Sequence, residues 1–319
     1  MQRKPLQNKR AVVIGVINIL VHLFAVNCLV KNVIYWLQKL GQKFALLTAL
    51  AIVGALLCAT MIRFAPGYGA DERELNPTLS QASRDAIRSE YGTGESLLSY
   101  YRHYLINLLR GDLGTSVFLR RPVAELLKER APLTAKTVSL GLLTAWIGAS
   151  GLALLTLRFP SWILGHSATA FSGLLIALPA AVIALVFVFL RAPVFLGIAV
   201  VTFPKLFRYQ QNLLAQAHGQ PFVFAARARG LTRNRILFRH VVPSVWPTLA
   251  ALVAVSSSMA FGAAIPLEAL SDSSGLGQLA WQAALNRDLP LLTSITLFVT
   301  LVTVAINFAA DATHQRRLG

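Results

Sequence analysis

The sequence has 319 residues, of which 55% are hydrophobic and only 13% are charged, whereas about a quarter of the residues of a soluble protein are charged. Its apolar residues come in runs of about twenty, the length that crosses a hydrocarbon core of about 30 Å. The formal net charge of +17 comes from short basic segments beside these runs, as in cytoplasmic loops. The composition therefore predicts a multi-pass membrane protein with no nucleic-acid partner.

Seven hydrophobic segments predict an all-α fold, a polytopic membrane helix bundle. They lie at about 11–30, 44–62, 134–157, 167–190, 194–214, 244–267 and 291–310. The two cysteines lie inside such segments, and we interpret them as small buried side chains and not as a disulfide or a metal site. The chain divides into an N-terminal extension, 1–43, and a membrane domain, 44–319.

The first segment, 11–30, is less regular than the other six. Asn18, His22 and Asn27 interrupt it. Counting the spans places the four basic residues of 1–10 outside, although such residues favour the cytoplasm. We expect an additional membrane-spanning helix here, and an interfacial or re-entrant helix is the alternative. A cleaved signal peptide fits less well, because no small-residue cleavage site precedes a soluble domain.

The region 64–133 contains nine basic and nine acidic residues, and we place it outside the membrane. Apolar residues follow a helical stripe over 101–109, and Gly111 suits the end of that helix. Pro122 suits the start of another. The region therefore predicts short amphipathic helices on the outer surface, and we expect them to serve as packing more than as a binding site.

The distribution of basic residues predicts the topology. Residues 205–240 contain seven basic and no acidic side chains, so we place them in the cytoplasm. The turn Arg191–Pro193 is then outside, residues 158–166 are inside, and so is the C-terminal tail.

The cytoplasmic stretch AARARGLTRNRILFRHVVP, residues 225–243, contains five arginines. Pro221 can begin a helix before it, Gly230 suits the left-handed position that ends one, and Thr232 can cap a second helix. The pattern predicts a helix, a turn and a helix. Its arginines could be only topological anchors that attract anionic lipid, or they could bind a partner's carboxylates.

Each of these two helices has a face defined by its spacing. In the first helix, four residues share a face at i, i+3, i+4 and i+7, namely Phe222, Ala225, Ala226 and Arg229. In the second helix the apolar face comprises Ile236, Leu237, His240 and Val241. The anchor hypothesis does not account for this ordered spacing of alanines, glycine and proline.

The stretch resembles the cytoplasmic EAA loop of binding-protein-dependent ABC importer permeases, whose pattern ends in a glycine and, about a dozen residues later, a proline. Gly230 and Pro243 match those two positions, Ala225 and Ala226 match the alanines, and Phe224 stands where an acidic residue is usual. Five further motifs are similar to the dipeptide, oligopeptide and nickel permeases of this family, in the same order: RFAPG (63–67), YLINLLRGDLGTS (104–116), RPVAELLKERAPLT (121–134), LEALSDSSGLGQL (267–279) and NRDLPLL (286–292).

This resemblance implies a permease for peptides or related solutes in the bacterial inner membrane, with six core transmembrane helices of the type I ABC importer kind. It implies a second, homologous permease, two cytoplasmic ATPase subunits that hold the ATP and Mg, and an outer solute-binding protein. Within a coupling loop at 215–243, the helix 221–229 would sit in a groove on an ATPase. The coupling residues would be Ala225, Ala226, Arg229, Gly230, Leu231, Arg233 and Pro243.

Three features depart from the family pattern. Residues 1–31 have no counterpart in the usual core, the outer turn Arg191–Pro193 is short, and Pro221 stands where an acidic or polar residue is common. They motivate an alternative hypothesis, in which the chain is a non-transporting membrane scaffold or sensor that retains the permease fold and the ATPase dock.

Motifs for catalysis are absent from the sequence. It contains no phosphate-binding G-x-x-x-x-G-K-[ST] motif, no H-E-x-x-H metal spacing and no G-x-S-x-G. We therefore expect no catalytic residue, metal or cofactor in this chain.

Polar residues within the apolar segments are candidates for a translocation path. Ser256, Ser257 and Ser258 lie in the middle of the sixth segment, but serines also allow helices to pack closely, so both interpretations stay open. Glu268, at the outer end of that segment, should have a polar partner or face an aqueous vestibule. There it could stabilise a closed outer gate or contact solute.

Overall fold

The computed structural model describes residues 97–159 and 161–315, together with single residues and short groups between positions 41 and 80. The span expected at 11–30, like most of the extension 1–43, lies outside the described residues. The described residues from 41 to 61 are helical, in agreement with the segment predicted at 44–62. The chain divides into two units, residues 1–50 and 51–319.

Helices make up nearly all of the continuously described chain. The first helix, α1, is Leu97–Leu109. The larger helices are α2 (Val123–Arg158), α3 (Trp162–Ala177), α4 (Ala180–Phe189) and α5 (Val194–His218). Two short helices follow, α6 (Pro221–Ala228) and α7 (Arg233–Ile236), and then a π-helical turn, Leu237–Val241. The chain continues with α8 (Val242–Leu270), α9 (Leu276–Leu285) and α10 (Leu289–Gln315).

Three helices of the described chain are long and apolar enough to cross a membrane: α2, the continuous helical rod Arg233–Leu270, and Leu289–Ala310 of α10. The bent pair α3 and α4 makes a fourth if the pair counts as one span. α5 has 25 residues, which gives a length of about 38 Å, although Lys205 and Arg208 interrupt its apolar character. The all-α membrane fold predicted from the hydrophobic segments is confirmed.

The fourth predicted segment, 167–190, is divided between two helices, α3 and α4. The chain bends by 93° between α3 and α4, at Leu178 and Pro179. Proline lacks the backbone N–H that would continue the helix, and its ring disfavours helical geometry at the preceding residue. Leu178 accordingly has φ −80° and ψ 124°, an extended conformation.

The second of the short surface helices expected from the sequence is part of a longer helix, α2. Pro122 precedes Val123, the first residue of α2, and α2 then runs without a break through Pro132 to Arg158. The amphipathic stretch predicted at the membrane surface is therefore the first part of a 36-residue helix. α1 forms as expected, and Gly111 beyond it has φ +78°.

The interior has two main apolar clusters at opposite ends of the bundle. One joins α2, α5, α6 and the start of α8 around Phe207, and the other joins α2, α9 and α10 around Leu126 and Leu291. Between them the helices approach closely: a Cβ at Gly141 of α2 would lie 2.7 Å from the carbonyl oxygen of Phe195 in α5. Such small residues allow helices to pack tightly where no hydrophobic effect drives them together.

Candidate functional site

The basic turn, residues 215–243, reverses the chain between α5 and α8. Gln220 is the N-cap of α6, with φ −75° and ψ 152°, and Pro221 occupies the first helical position. Proline is favoured there because its fixed φ suits a helix and its missing N–H would have had no intrahelical acceptor. The predicted start of this helix is confirmed.

The end of α6 is a Schellman motif closed by Gly230. Gly230 has φ +75°; its N–H donates to the carbonyl of Arg227 at 2.9 Å, and the N–H of Leu231 donates to the carbonyl of Ala226 at 3.3 Å. These two bonds satisfy carbonyls that a helix end would otherwise leave unpaired. A Cβ at Gly230 would meet nothing within 4 Å, so glycine is favoured here by backbone conformation and not by lack of space.

The residues that α6 buries and exposes do not match the face that the spacing predicts. Val223 and Ala226 are buried against the core cluster around Phe207, whereas Phe222, Phe224 and Ala225 are exposed. Arg229 is exposed as well, so the expected set Phe222, Ala225, Ala226 and Arg229 does not lie on one surface. Of that set only Ala226 faces inward, beside Val223, because an eight-residue helix docked on the bundle buries a narrow strip.

The second half of the basic turn leads directly into the membrane helix. Thr232 is the N-cap of α7, but its side chain makes no capping bond, contrary to expectation; the carbonyl of Thr232 instead accepts from the Ile236 N–H at 3.0 Å. Ile236, Leu237 and Val241 are buried, as their spacing predicts. Leu231 is half-buried, and Pro243 is exposed in the first turn of α8.

The charged groups of this turn are cationic and open to solvent. All five arginines are exposed, the residues being Arg227, Arg229, Arg233, Arg235 and Arg239. Nη2 of Arg227 lies 2.7 Å from Nε2 of His218. Since arginine can only donate, this nitrogen of His218 accepts the bond and the imidazole is neutral. Burial, followed by the charges of Arg227 and Arg233, lowers the pKa of His218, which lies four residues beyond the predicted membrane segment 194–214.

The three candidate path serines differ in their surroundings. Ser256 is buried and accepts a hydrogen bond from Nε1 of Trp146 at 3.1 Å. Ser257 is buried and donates to the carbonyl of Val253 at 2.8 Å. Ser258 alone of the three is exposed on the surface of the subunit.

Glu268 lies buried where α2, α8 and α9 meet. Its Oε2 accepts hydrogen bonds from Oγ1 of Thr134 at 3.0 Å and from the N–H of Gly277 at 2.8 Å, and its Oε1 accepts from Oγ1 of Thr137 at 3.1 Å. The expectation that this acid has polar partners is confirmed. A Cβ at Gly275 would collide with Oε2, so the turn before α9 approaches the carboxylate closely. About 38 Å of helix separates Glu268 from Pro243, so the basic turn and this cluster are distinct sites.

A second buried acid, Asp288, escaped the sequence analysis. Its Oδ2 accepts from Oγ of Ser116 at 2.5 Å and from the N–H of Phe118 at 3.1 Å, and its Oδ1 accepts from the N–H of Leu291 at 3.1 Å. Asp288 thus caps α10 and ties the loop after α1 to it. The sequence signal was present, since aspartate is favoured directly before a helix.

Comparison with known proteins identifies a family and several relatives that this chain resembles. Residues 137–316 match the family described as binding-protein-dependent transport system inner membrane component. The oligopeptide transport system permease protein AppB of Bacillus subtilis is 23% identical over 74% of this chain and 84% of its own length. A probable peptide ABC transporter permease protein of Sinorhizobium fredii is 24% identical, with 88% and 96% covered. The nickel import system permease protein NikB of Staphylococcus aureus is 25% identical, with 89% of each chain covered.

Proposed function

The chain belongs to the binding-protein-dependent transport system inner membrane components and is the transmembrane permease subunit of an ABC importer; from this premise we propose that it carries peptides or related small solutes across the bacterial inner membrane. The solute class is supported by the names of the relatives, which include peptide and nickel permeases. In this proposal the chain forms half of the translocation path and a homologous permease forms the other half.

The basic turn is the proposed coupling element to two cytoplasmic ATPase subunits, which hydrolyse ATP with Mg, while an outer solute-binding protein delivers the solute. One observation carries the assignment: Val223 and Ala226 pack α6 against the bundle, while Phe222, Phe224 and Ala225 remain exposed. A short helix fixed on one side and apolar on the other is suited to a groove on a partner, since aromatic anchors dominate such contacts.

The arginines around this helix favour an acidic rim on the ATPase groove. Arg227, Arg229 and Arg233 are exposed, and the segment 205–240 contains no carboxylate to pair with them. A bidentate contact between guanidinium and carboxylate would fix the orientation of the docked helix. Anionic lipid headgroups are the alternative partner for these arginines.

A cross-linking experiment tests the docking. An Ala225→Cys variant, in a chain whose two native cysteines are replaced by alanine, is co-expressed with its ATPase subunits and treated with a short thiol cross-linker. We expect a covalent permease–ATPase product that changes in yield when ATP is added, whereas a cysteine at Ser271, near the opposite end of α8, should give none. Equal products from both positions would contradict the docking assignment.

A further inference from the structure

A groove of about 570 Å³ opens between the first half of α3 and the last part of α5. Five of its lining residues belong to α3 and its N-cap, and one belongs to α5, the set being Ser161, Trp162, Gly165, His166, Thr169 and Gln211. The topology predicted from the basic residues places 158–166 and 205–240 on the cytoplasmic side. The groove therefore faces the inner leaflet of the membrane.

Arg208 of α5 reaches across to α3 beside this groove. Its Nε donates to Oγ of Ser172 at 3.1 Å, and its Nη2 lies 3.5 Å from the carbonyl oxygen of Thr169, which also lines the groove. The Arg208 side chain is exposed, and a guanidinium has five N–H donors. Two contacts to α3 thus orient the group while its remaining donors stay open to an oxyanion.

The charge of Arg208 is not balanced by a carboxylate. The sequence contains no aspartate or glutamate between positions 130 and 267, a range that includes all of α3 and α5. In the part of the chain that the structure describes, the ion pairs belong to Arg121 and Arg130, near the start of α2. A cation beside the inner leaflet with no carboxylate partner attracts the anionic lipids of that leaflet.

The groove itself offers polar groups next to an apolar rim. Nδ1 of His166 donates to the carbonyl of Trp162 at 2.7 Å, so the other nitrogen of the neutral ring is an acceptor for a hydroxyl. Ser161 and Gln211 add a hydroxyl and an amide. At the rim, Trp162 and its neighbour Ile163 are 76% and 74% exposed, and tryptophan is enriched at the level of the lipid headgroups.

We propose that the groove between α3 and α5 binds an anionic phospholipid of the inner leaflet that has a hydroxylated headgroup, the chemistry of phosphatidylglycerol. Its phosphodiester pairs with the Arg208 guanidinium, and its headgroup hydroxyls lie among the polar lining residues. Apolar surface for the acyl chains continues along α3, where Phe171 and Leu174 are exposed. A soluble phosphate would neutralise Arg208 but leave this apolar surface and Trp162 uncovered. The lipid joins α3 to α5, the helix that leads into the basic turn, and its binding does not require transport.

Binding is tested with the full chain in detergent, without ATPases, by native mass spectrometry with dioctanoyl phosphatidylglycerol as the probe. We expect saturable binding of one lipid in the wild type and at least about tenfold weaker binding in Arg208→Gln, since a charge-assisted hydrogen bond corresponds to roughly that factor. Ser172 also donates to the carbonyl of Thr169 at 3.0 Å, so it keeps a partner in this variant. Arg235→Gln is the matched control, because Arg235 is an exposed arginine of the basic turn; it should bind like the wild type.

A second variant tests the groove without changing the charge. A Cβ at Gly165 would meet nothing within 4 Å, so Gly165→Leu should fold, occupy part of the groove and weaken binding while it retains Arg208. If Arg208→Gln fails to insert, Gly165→Leu carries the test. Unchanged binding in either variant would overturn the proposal, and so would equal losses in Arg208→Gln and Arg235→Gln, which would indicate diffuse attraction. Equally tight binding of dioctanoyl phosphatidylcholine, or displacement of the lipid by millimolar inorganic phosphate, would also overturn it.

Discussion

Nε2 of His218 accepts a hydrogen bond from the Arg227 guanidinium at 2.7 Å, and this bond ties the last turn of α5 to α6. Only the neutral imidazole can accept it, because a protonated ring has a donor at both nitrogens. The position of α6 therefore depends on whether the His218 imidazole is protonated.

We expect acidification to loosen the basic turn. The pKa of His218 is lowered in the folded protein by burial and by Arg227 and Arg233, so the unfolded chain binds the proton more readily. Stability from this residue is then fully present above the ordinary imidazole pKa of about 6.5 and is lost as the pH falls toward the lower folded-state pKa. Thermal unfolding in nanodiscs between pH 8 and pH 5 should show a larger loss for the wild type than for His218→Gln, whose amide oxygen can accept the same bond without titrating. Parallel curves would contradict this role.

Replacing Gly230 by valine should uncouple transport from ATP hydrolysis. At φ +75° a side chain costs about 1–2 kcal/mol, so the Schellman turn would rearrange and α6 would shift, while membrane insertion should be unaffected. The measurement is solute uptake against ATPase activity in proteoliposomes. Gly219→Ala is a matched control, because Gly219 has φ −81° and space for a Cβ. Normal uptake by Gly230→Val would count against the coupling assignment.

Phe224 and its neighbour Val223 should respond differently to truncation. Phe224 is 61% exposed, so Phe224→Ala should leave thermal stability unchanged and weaken ATPase binding by roughly tenfold, as expected for an aromatic anchor. Val223 is fully buried, so Val223→Ala should cost about 2 kcal/mol of stability. Co-purification and thermal unfolding separate the two effects; an unchanged ATPase affinity in Phe224→Ala would remove this residue from the interface.

At Glu268, the size of the stability loss should depend on the replacement. Glu268→Leu leaves the Gly277 N–H without an acceptor, which costs about 1–3 kcal/mol. Glu268→Gln should be mild, because its amide can place the oxygen toward Gly277 and its NH₂ toward the Thr137 hydroxyl, which can also accept. Thermal unfolding measures both. A Glu268→Gln protein of normal stability that has lost uptake would instead show that the charge acts on solute or on the outer gate.

Ser258 is the candidate path residue that solution probes can test. It is exposed on the subunit, whereas Ser257 is buried. In a chain lacking Cys28 and Cys58, Ser258→Cys should react with a membrane-impermeant maleimide in the assembled importer, and Ser257→Cys should not. An unreactive Ser258→Cys would place this position against lipid or the second permease.

Local features of the amino-acid sequence were enough to predict the membrane helices and the limits of α6. Runs of apolar residues determine membrane helices because each span satisfies its own backbone hydrogen bonds. The limits of α6 follow from Pro221 and Gly230, whose backbone preferences act within a few residues. The bend at Pro179 was not predicted, although proline disfavours the continuation of a helix.

Contacts between distant parts of the chain were decided only by the tertiary structure. The partners of Glu268 include Thr134, which lies 134 positions away, and no periodicity predicts such a pairing. Which residues of α6 face inward depends on the bundle it docks against. Spacing along one helix specifies which residues share a face, but burial also requires the surface that covers that face.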